Sequence, residues 1–261
     1  MGAAAPTQES EFYLGTKALY VSLAECGESR WLVLVPPLFE ELPRTRKLLV
    51  NAARKFAAAG FNVVRFDYYG TGLSEGRCED FSPAQAMQDL EAVVTFCRER
   101  AARQVSLLGL RYGAYLAAQA AVRSQYRQVI LWEPVIDPAA YVMEFIKSTA
   151  VDQIMTFGEV RFSPSELLEK LGREGRILVN GYALSTAAVD ELRQARALGR
   201  GDCEKLALVF WRRSTVVKTP FLAELKPIVC TNVKVAWDHI KFLEHEAKEL
   251  VDTTLGLLAR Q

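Results

Sequence analysis

Short apolar runs alternate with amphipathic stretches along this chain, and the spacing of the apolar positions assigns each to a strand or a helix. Phe12–Tyr13 and Ala18–Ser22 read as an opening pair of strands. Trp31–Val35 (WLVLV) is a continuous apolar run, the pattern of a strand covered on both faces. Leu42–Ala59 has helical spacing and stops at Gly60, a C-cap residue. Asn62–Phe66 is the next strand. Pro83–Glu99 is the next helix, with Ser82 as N-cap and Pro83 in its first turn. Gln104–Leu108 follows as a strand, Tyr112–Arg123 as an Ala-rich helix and Gln128–Trp132 as another strand. A chain with this strand–helix rhythm builds a parallel sheet with helices on both faces.

The rhythm breaks after Asp137. Residues 138–198 carry helical patterns but no comparable buried strand. Lys205–Phe210 and Ile228–Val235 then resume the sheet, and Glu244–Leu258 closes the chain as a helix. The order predicts an α/β fold with one core, residues 1–137 and 199–261. Residues 138–198 are inserted as a helical cap over the C-terminal edge of the strands, where ligands bind in open α/β sheets.

Composition narrows the partners. Lys and Arg number 32 against 31 Asp and Glu, so nothing electrostatic favours nucleic acid or an anionic membrane. No stretch approaches the ~20 uninterrupted apolar residues of a membrane span. The opening MGAAAPTQES lacks the basic start and apolar core of a signal peptide. The 5 cysteines are odd in number and form no CxxC pair, which argues against a disulfide framework or a zinc cluster. Reduced thiols fit a cytoplasmic protein, with no metal and no cofactor expected. Imidazole chemistry would have to come from His239 or His245, the 2 histidines present.

Three loops follow predicted strands. Pro36-Pro37-Leu38-Phe39-Glu40-Glu41 reads either as a turn or as a loop whose N–H groups face a pocket. Asp67-Tyr68-Tyr69-Gly70-Thr71-Gly72-Leu73-Ser74-Glu75-Gly76 fits neither a P-loop nor a dinucleotide fingerprint and reads as a loop at the sheet edge. Gly109-Leu110-Arg111-Tyr112-Gly113 runs from strand into helix with the spacing of a nucleophile elbow. Its central residue is Arg111, where Ser, Cys or Asp would attack. A guanidinium stays protonated and is no nucleophile at neutral pH.

Taken in order, these pieces resemble the α/β-hydrolase superfamily over nearly the whole chain, from about Glu11 to about Ala259. PPLFEELPRTRK, FDYYGTGLSEG, GLRYGAYLAAQAA, LWEPVID and NGYALS are most similar to the exosortase-system-associated hydrolases of the serine aminopeptidase-like group. The resemblance implies a capped α/β-hydrolase fold and a triad ordered nucleophile, acid, histidine. His239 holds the histidine place and is the candidate base. The acid place, after Lys205–Phe210, reads Trp211-Arg212-Arg213-Ser214 and has no carboxylate, so Glu133 and Asp137 are the candidate acids. Arg111, Tyr112, Leu38 and Phe39 are the candidate ligand-binding residues.

Two functions follow. One is a hydrolase-like protein without serine chemistry that binds a small anionic or acyl ligand, or a partner. In it Arg111 either pairs with Glu40, Glu41 or Glu133, or holds an anion at a helix N-terminus. The alternative is an active ester, thioester or peptide hydrolase, or an acyltransferase, with a displaced nucleophile and His239 as base. By resemblance alone, a polysaccharide or protein-sorting system supplies a third role, as scaffold.

Overall fold

The computed structural model describes residues 8–100, 104–204, 206–210, 219–224, 228–230 and 246–259. Its central sheet contains β1 (Gln8–Leu14), β2 (Leu19–Glu25), β3 (Arg30–Val35), β4 (Asn62–Phe66), β5 (Gln104–Leu110) and β6 (Val129–Trp132). In the insertion come β7 (Arg176–Val179) and β8 (Tyr182–Ser185), and β9 (Ala207–Phe210) and β10 (Ile228–Cys230) return to the sheet. The spatial order is β1-β2-β4-β3-β5-β6-β9-β10. β1 and β2 pair antiparallel, as do β2 and β4, and every pairing from β4 to β10 is parallel. The mostly parallel sheet predicted from the apolar runs is therefore present.

Alternation along β3 explains why its run is apolar throughout. Trp31, Val33 and Val35 enter one core cluster, shared with α2 (Pro83–Glu99) and α3 (Tyr112–Arg123). Leu32 and Leu34 enter a second cluster on the opposite face, shared with α1 (Glu41–Ala58) and the closing helix Glu246–Leu258. A strand buried on both faces has no polar side to show. Trp132 ties the closing helix down, its indole Nε1 donating to Thr254 Oγ1 at 3.0 Å.

Between β6 and β9 lie α4 (Pro138–Phe157), α5 (Pro164–Glu174), α6 (Thr186–Gln194) and α7 (Arg200–Cys203), and with them the antiparallel pair β7–β8. The closing helix is α8. The insertion read from the sequence as mostly helical thus also holds a two-stranded hairpin that the apolar pattern did not reveal. Asn180 and Gly181 turn the hairpin with φ of 47° and 86°, the Asn-Gly turn that strand twist favours. No described helix is long and apolar enough to cross a membrane.

The turn from β5 into α3 depends on two glycines. A Cβ at Gly109 would lie 2.4 Å from Ala114 Cα, and one at Gly113 would lie 2.2 Å from the Val35 carbonyl oxygen. Strand, turn and helix are packed backbone against backbone there. Gly113→Ala is expected to destabilise the protein by ~1–3 kcal/mol or more through overpacking. Gly172→Ala, within α5 and with nothing within 4 Å of the new methyl, is expected to stabilise it by up to ~1 kcal/mol. Urea denaturation of the two variants measures both signs.

Candidate functional site

Arg111 sits at the apex of the β5–α3 turn with φ 56° and ψ −116°, outside the regions an L-residue prefers. Holding such a backbone costs on the order of 1–3 kcal/mol. Neighbouring strands and helix impose it: Arg111 N–H donates to Trp132 O at 3.0 Å, and Arg111 O accepts from Ala114 N–H at 3.0 Å and Val135 N–H at 3.2 Å. The elbow is therefore fully built around an arginine.

The guanidinium turns to α1. Arg111 Nε donates to Glu41 Oε1 at 2.9 Å, and Arg111 Nη1 reaches the Glu133 carbonyl oxygen at 3.4 Å. The second Glu41 oxygen, Oε2, accepts from the Tyr141 hydroxyl at 3.0 Å. Elbow, core helix α1 and insertion helix α4 thus meet on one carboxylate. Both ionic side chains are largely withdrawn from water, Arg111 at 20% and Glu41 at 11% exposure. Burial is the strongest single influence on Arg111 and would lower its pKa, but the charge and hydrogen bond of Glu41, with Tyr141 and Glu133 beside it, together hold the guanidinium above its ordinary value. Burial first, and the Glu41 charge second, push the Tyr141 phenol well above its usual range. Of the carboxylates expected beside Arg111, Glu41 forms the side-chain pair. Glu40 instead binds Arg44 at 3.0 Å.

Two clefts open beside this tie, and Phe39 lines both. The smaller, about 150 Å³, is bounded by Phe39, Glu40, Glu41, Arg111, Tyr141, Glu144, Phe145 and Ser148. The larger, about 410 Å³, lies between α1, the glycine loop after β4 and the β7–β8 turn. Phe39 has φ 51° and stacks on Phe145 with ring centroids 4.4 Å apart. Leu38 also lines the larger cleft.

The remaining predicted residues are distributed differently. Tyr112 is fully buried, packs on Tyr115 and Tyr141, and lines neither cleft. Its exposure as a ligand contact is thus not found. Asp137 is the N-cap of α4 and accepts from Ala139 and Ala140 N–H at 2.9 and 3.2 Å, which holds its carboxylate at the helix start. Glu133 is buried directly beyond β6, with φ 41°. His239 and His245 lie outside the described residues.

Sequence reasoning missed Tyr141, which closes the tie from 100 positions away. It also missed Arg46, whose Nη2 donates to Asp67 Oδ2 at 2.8 Å at the edge of the larger cleft. Arg46 stands one turn beyond Leu42 on the same helix, a spacing that could have placed it beside the loop after β4. Among the described residues no cluster of His, Cys, Asp and Glu could hold a metal ion.

The profile of the serine aminopeptidase (S33) family matches residues 44–180. No curated protein matches the chain significantly. Several solved structures share its fold. The α/β hydrolase GrgF from Penicillium sp. sh18 superposes with a TM-score of 0.65 at 17% identity, covering 98% of each chain. Est1E from Butyrivibrio proteoclasticus, solved with ferulic acid bound, gives 0.62 at 15% identity, over 95% of this chain and 99% of its own. XC6422 from Xanthomonas campestris, described as an α/β serine hydrolase without a lid, gives 0.58 at 17% identity, over 99% and 97%. The fold is that of the α/β hydrolases.

The tie makes a thermodynamic prediction. Glu41→Leu takes the carboxylate away from a largely buried guanidinium and is expected to cost ~3–5 kcal/mol. Glu41→Leu with Arg111→Met removes both charges and is expected to recover most of that loss. A double-mutant cycle by urea denaturation checks it, and strictly additive losses would contradict the pairing.

Proposed function

The chain belongs to the serine aminopeptidase S33 family, and from that premise we propose that it is a hydrolase-like protein whose elbow does no serine chemistry. It binds a small anionic or acyl ligand under the insertion instead. The observation that carries this reading is Arg111 itself, at φ 56° in the elbow with its Nε on Glu41 at 2.9 Å. Raised above its ordinary pKa, the guanidinium has no lone pair to offer an acyl carbon.

The serine and threonine hydroxyls that line the larger cleft are engaged. Ser74 Oγ donates to Asp67 O at 2.6 Å and accepts from Tyr20 N–H at 2.9 Å. Thr71 Oγ1 donates to Tyr68 O at 2.9 Å. The Cys78 thiol, at the larger cleft, is pushed up by burial, which disfavours the thiolate that would attack. Each of these facts supports ligand binding over covalent catalysis. Likeness in sequence to exosortase-system-associated hydrolases supports a place beside exopolysaccharide or protein-sorting machinery.

Purified protein is expected to hydrolyse p-nitrophenyl butyrate no faster than an elbow stripped of its triad, ~10⁶-fold below a working serine hydrolase in kcat. Fluorophosphonate labelling read by mass spectrometry is expected to give no adduct. A stoichiometric adduct, lost in His239→Ala, would instead establish an active hydrolase or acyltransferase with a displaced nucleophile.

A further inference from the structure

The two clefts differ in charge, and the difference decides where an anion goes. Around the smaller cleft three carboxylates, Glu40, Glu41 and Glu144, accompany the single guanidinium of Arg111. That guanidinium already donates to Glu41. An incoming anion would meet Glu41 on the guanidinium and two further negative charges around it. The larger cleft has the opposite balance. Of its 14 described lining residues, Arg46 is the one that carries a charge at neutral pH.

Arg46 is also arranged to receive a ligand. Among its described contacts, Nη2 is the guanidinium atom with a partner, Asp67 Oδ2 at 2.8 Å. Its side chain is 35% exposed, whereas Asp67 is 5% exposed, so the positive member of the pair is the one that faces the cleft. Asp67 Oδ2 accepts from Leu73 N–H as well, at 2.9 Å, which holds the carboxylate behind the guanidinium. Gly72 permits this approach. At φ 55°, a Cβ there would lie 2.1 Å from Asp67 Oδ2 and 3.0 Å from Arg46 Nη2.

Thr71, Ser74 and Cys78 also line the cleft without charge, and much of the remaining wall is apolar. Leu38, Phe39, Leu42 and Phe81 are buried around it, and Tyr182 closes the insertion side with its ring edge-on to Phe39 at 6.2 Å. Its volume of about 410 Å³ falls within the ~300–1,000 Å³ typical of small-molecule sites. We propose that this cleft, and not the elbow, is the ligand chamber of the protein, and that it takes amphipathic carboxylates, with the carboxylate on Arg46 and the hydrocarbon body against Phe39, Phe81 and Tyr182. The proposal deepens the reading of a non-hydrolytic binder and rests on it. No bond is made or broken. The carboxylate replaces water on the unengaged guanidinium N–H groups, in a charge-assisted contact.

Isothermal titration calorimetry with octanoate and octan-1-ol tests it, since the two probes share a chain and differ in charge. Octanoate is expected to bind at least tenfold more tightly, because a hydrogen bond to a charged group contributes ~1.5–3 kcal/mol. Arg46→Met keeps the stem and removes the charge. It is expected to abolish that preference while leaving octan-1-ol binding unchanged. Pro43→Trp, at an exposed position on the rim, is expected to weaken both probes at unchanged melting temperature. It keeps the test decisive if Arg46→Met fails to fold. No octanoate binding, equal affinity for the two probes, or an undiminished preference in Arg46→Met would overturn the assignment. Turnover of p-nitrophenyl octanoate, assayed in parallel, reports on the elbow instead. Silent titrations without turnover sink the chamber alone, whereas turnover sinks the non-hydrolytic reading beneath it.

Discussion

A guanidinium placed at a buried strand-to-helix turn has to be paired, and the pairing of Arg111 with Glu41 is the constraint around which this site is organised. The elbow backbone is a rigid inheritance of the fold: Gly109 and Gly113 bring strand and helix together at distances that no side chain would allow. Whatever residue occupies its apex is thrust to the top of the sheet. A charge there, out of water, is costly unless met by an opposite charge and hydrogen bonds. Glu41 at the start of α1 supplies both, and Tyr141 satisfies its second oxygen. Because Tyr141 belongs to α4, the neutralised charge also tethers the insertion to the core.

This tie redistributes the room beneath the insertion. Phe39, stacked on Phe145, forms a wall between a small acidic recess over Arg111 and a larger apolar cleft toward the glycine loop. The recess is chemically saturated, with the cation at its base engaged by a carboxylate. The larger cleft keeps a partly exposed arginine whose own counter-ion is held behind it. In a hydrolase fold the ligand would ordinarily be held at the elbow, where the chemistry takes place. Here the charges of the two clefts favour the position displaced to one side that we propose for a ligand.

Much of this framework was legible in the chain. The runs Asn62–Phe66, Pro83–Glu99 and Tyr112–Arg123 have the same limits in the structure, and for Pro83–Glu99 the start is marked by the Ser82 cap and Pro83. The elbow was legible because its two glycines are compulsory. The β7–β8 hairpin was not read, although Asn180-Gly181 marks it, since its four-residue strands show only two buried positions in β7 and one in β8. Three acidic residues were equivalent partners for Arg111 in sequence. The phase of α1 selects Glu41, since its side chain and that of buried Thr45 share the inward face while Glu40 precedes the helix and pairs with Arg44. Tyr141 carried no local signal, because its partner is brought to it by the fold, whereas the helical spacing of Arg46 from Leu42 was a signal left unread. His239 falls outside the described residues, and the triad's histidine place is therefore read from sequence alone.

The central claim is that the elbow cation is locked onto Glu41. Nitrogen-15 NMR of the arginine side chains addresses it most directly. The account predicts one Nε–H resonance that exchanges slowly with water, disappears in Arg111→Lys and moves strongly in Glu41→Gln. An Arg111 Nε–H that exchanges as fast as those of surface arginines, and is indifferent to Glu41→Gln, would contradict it.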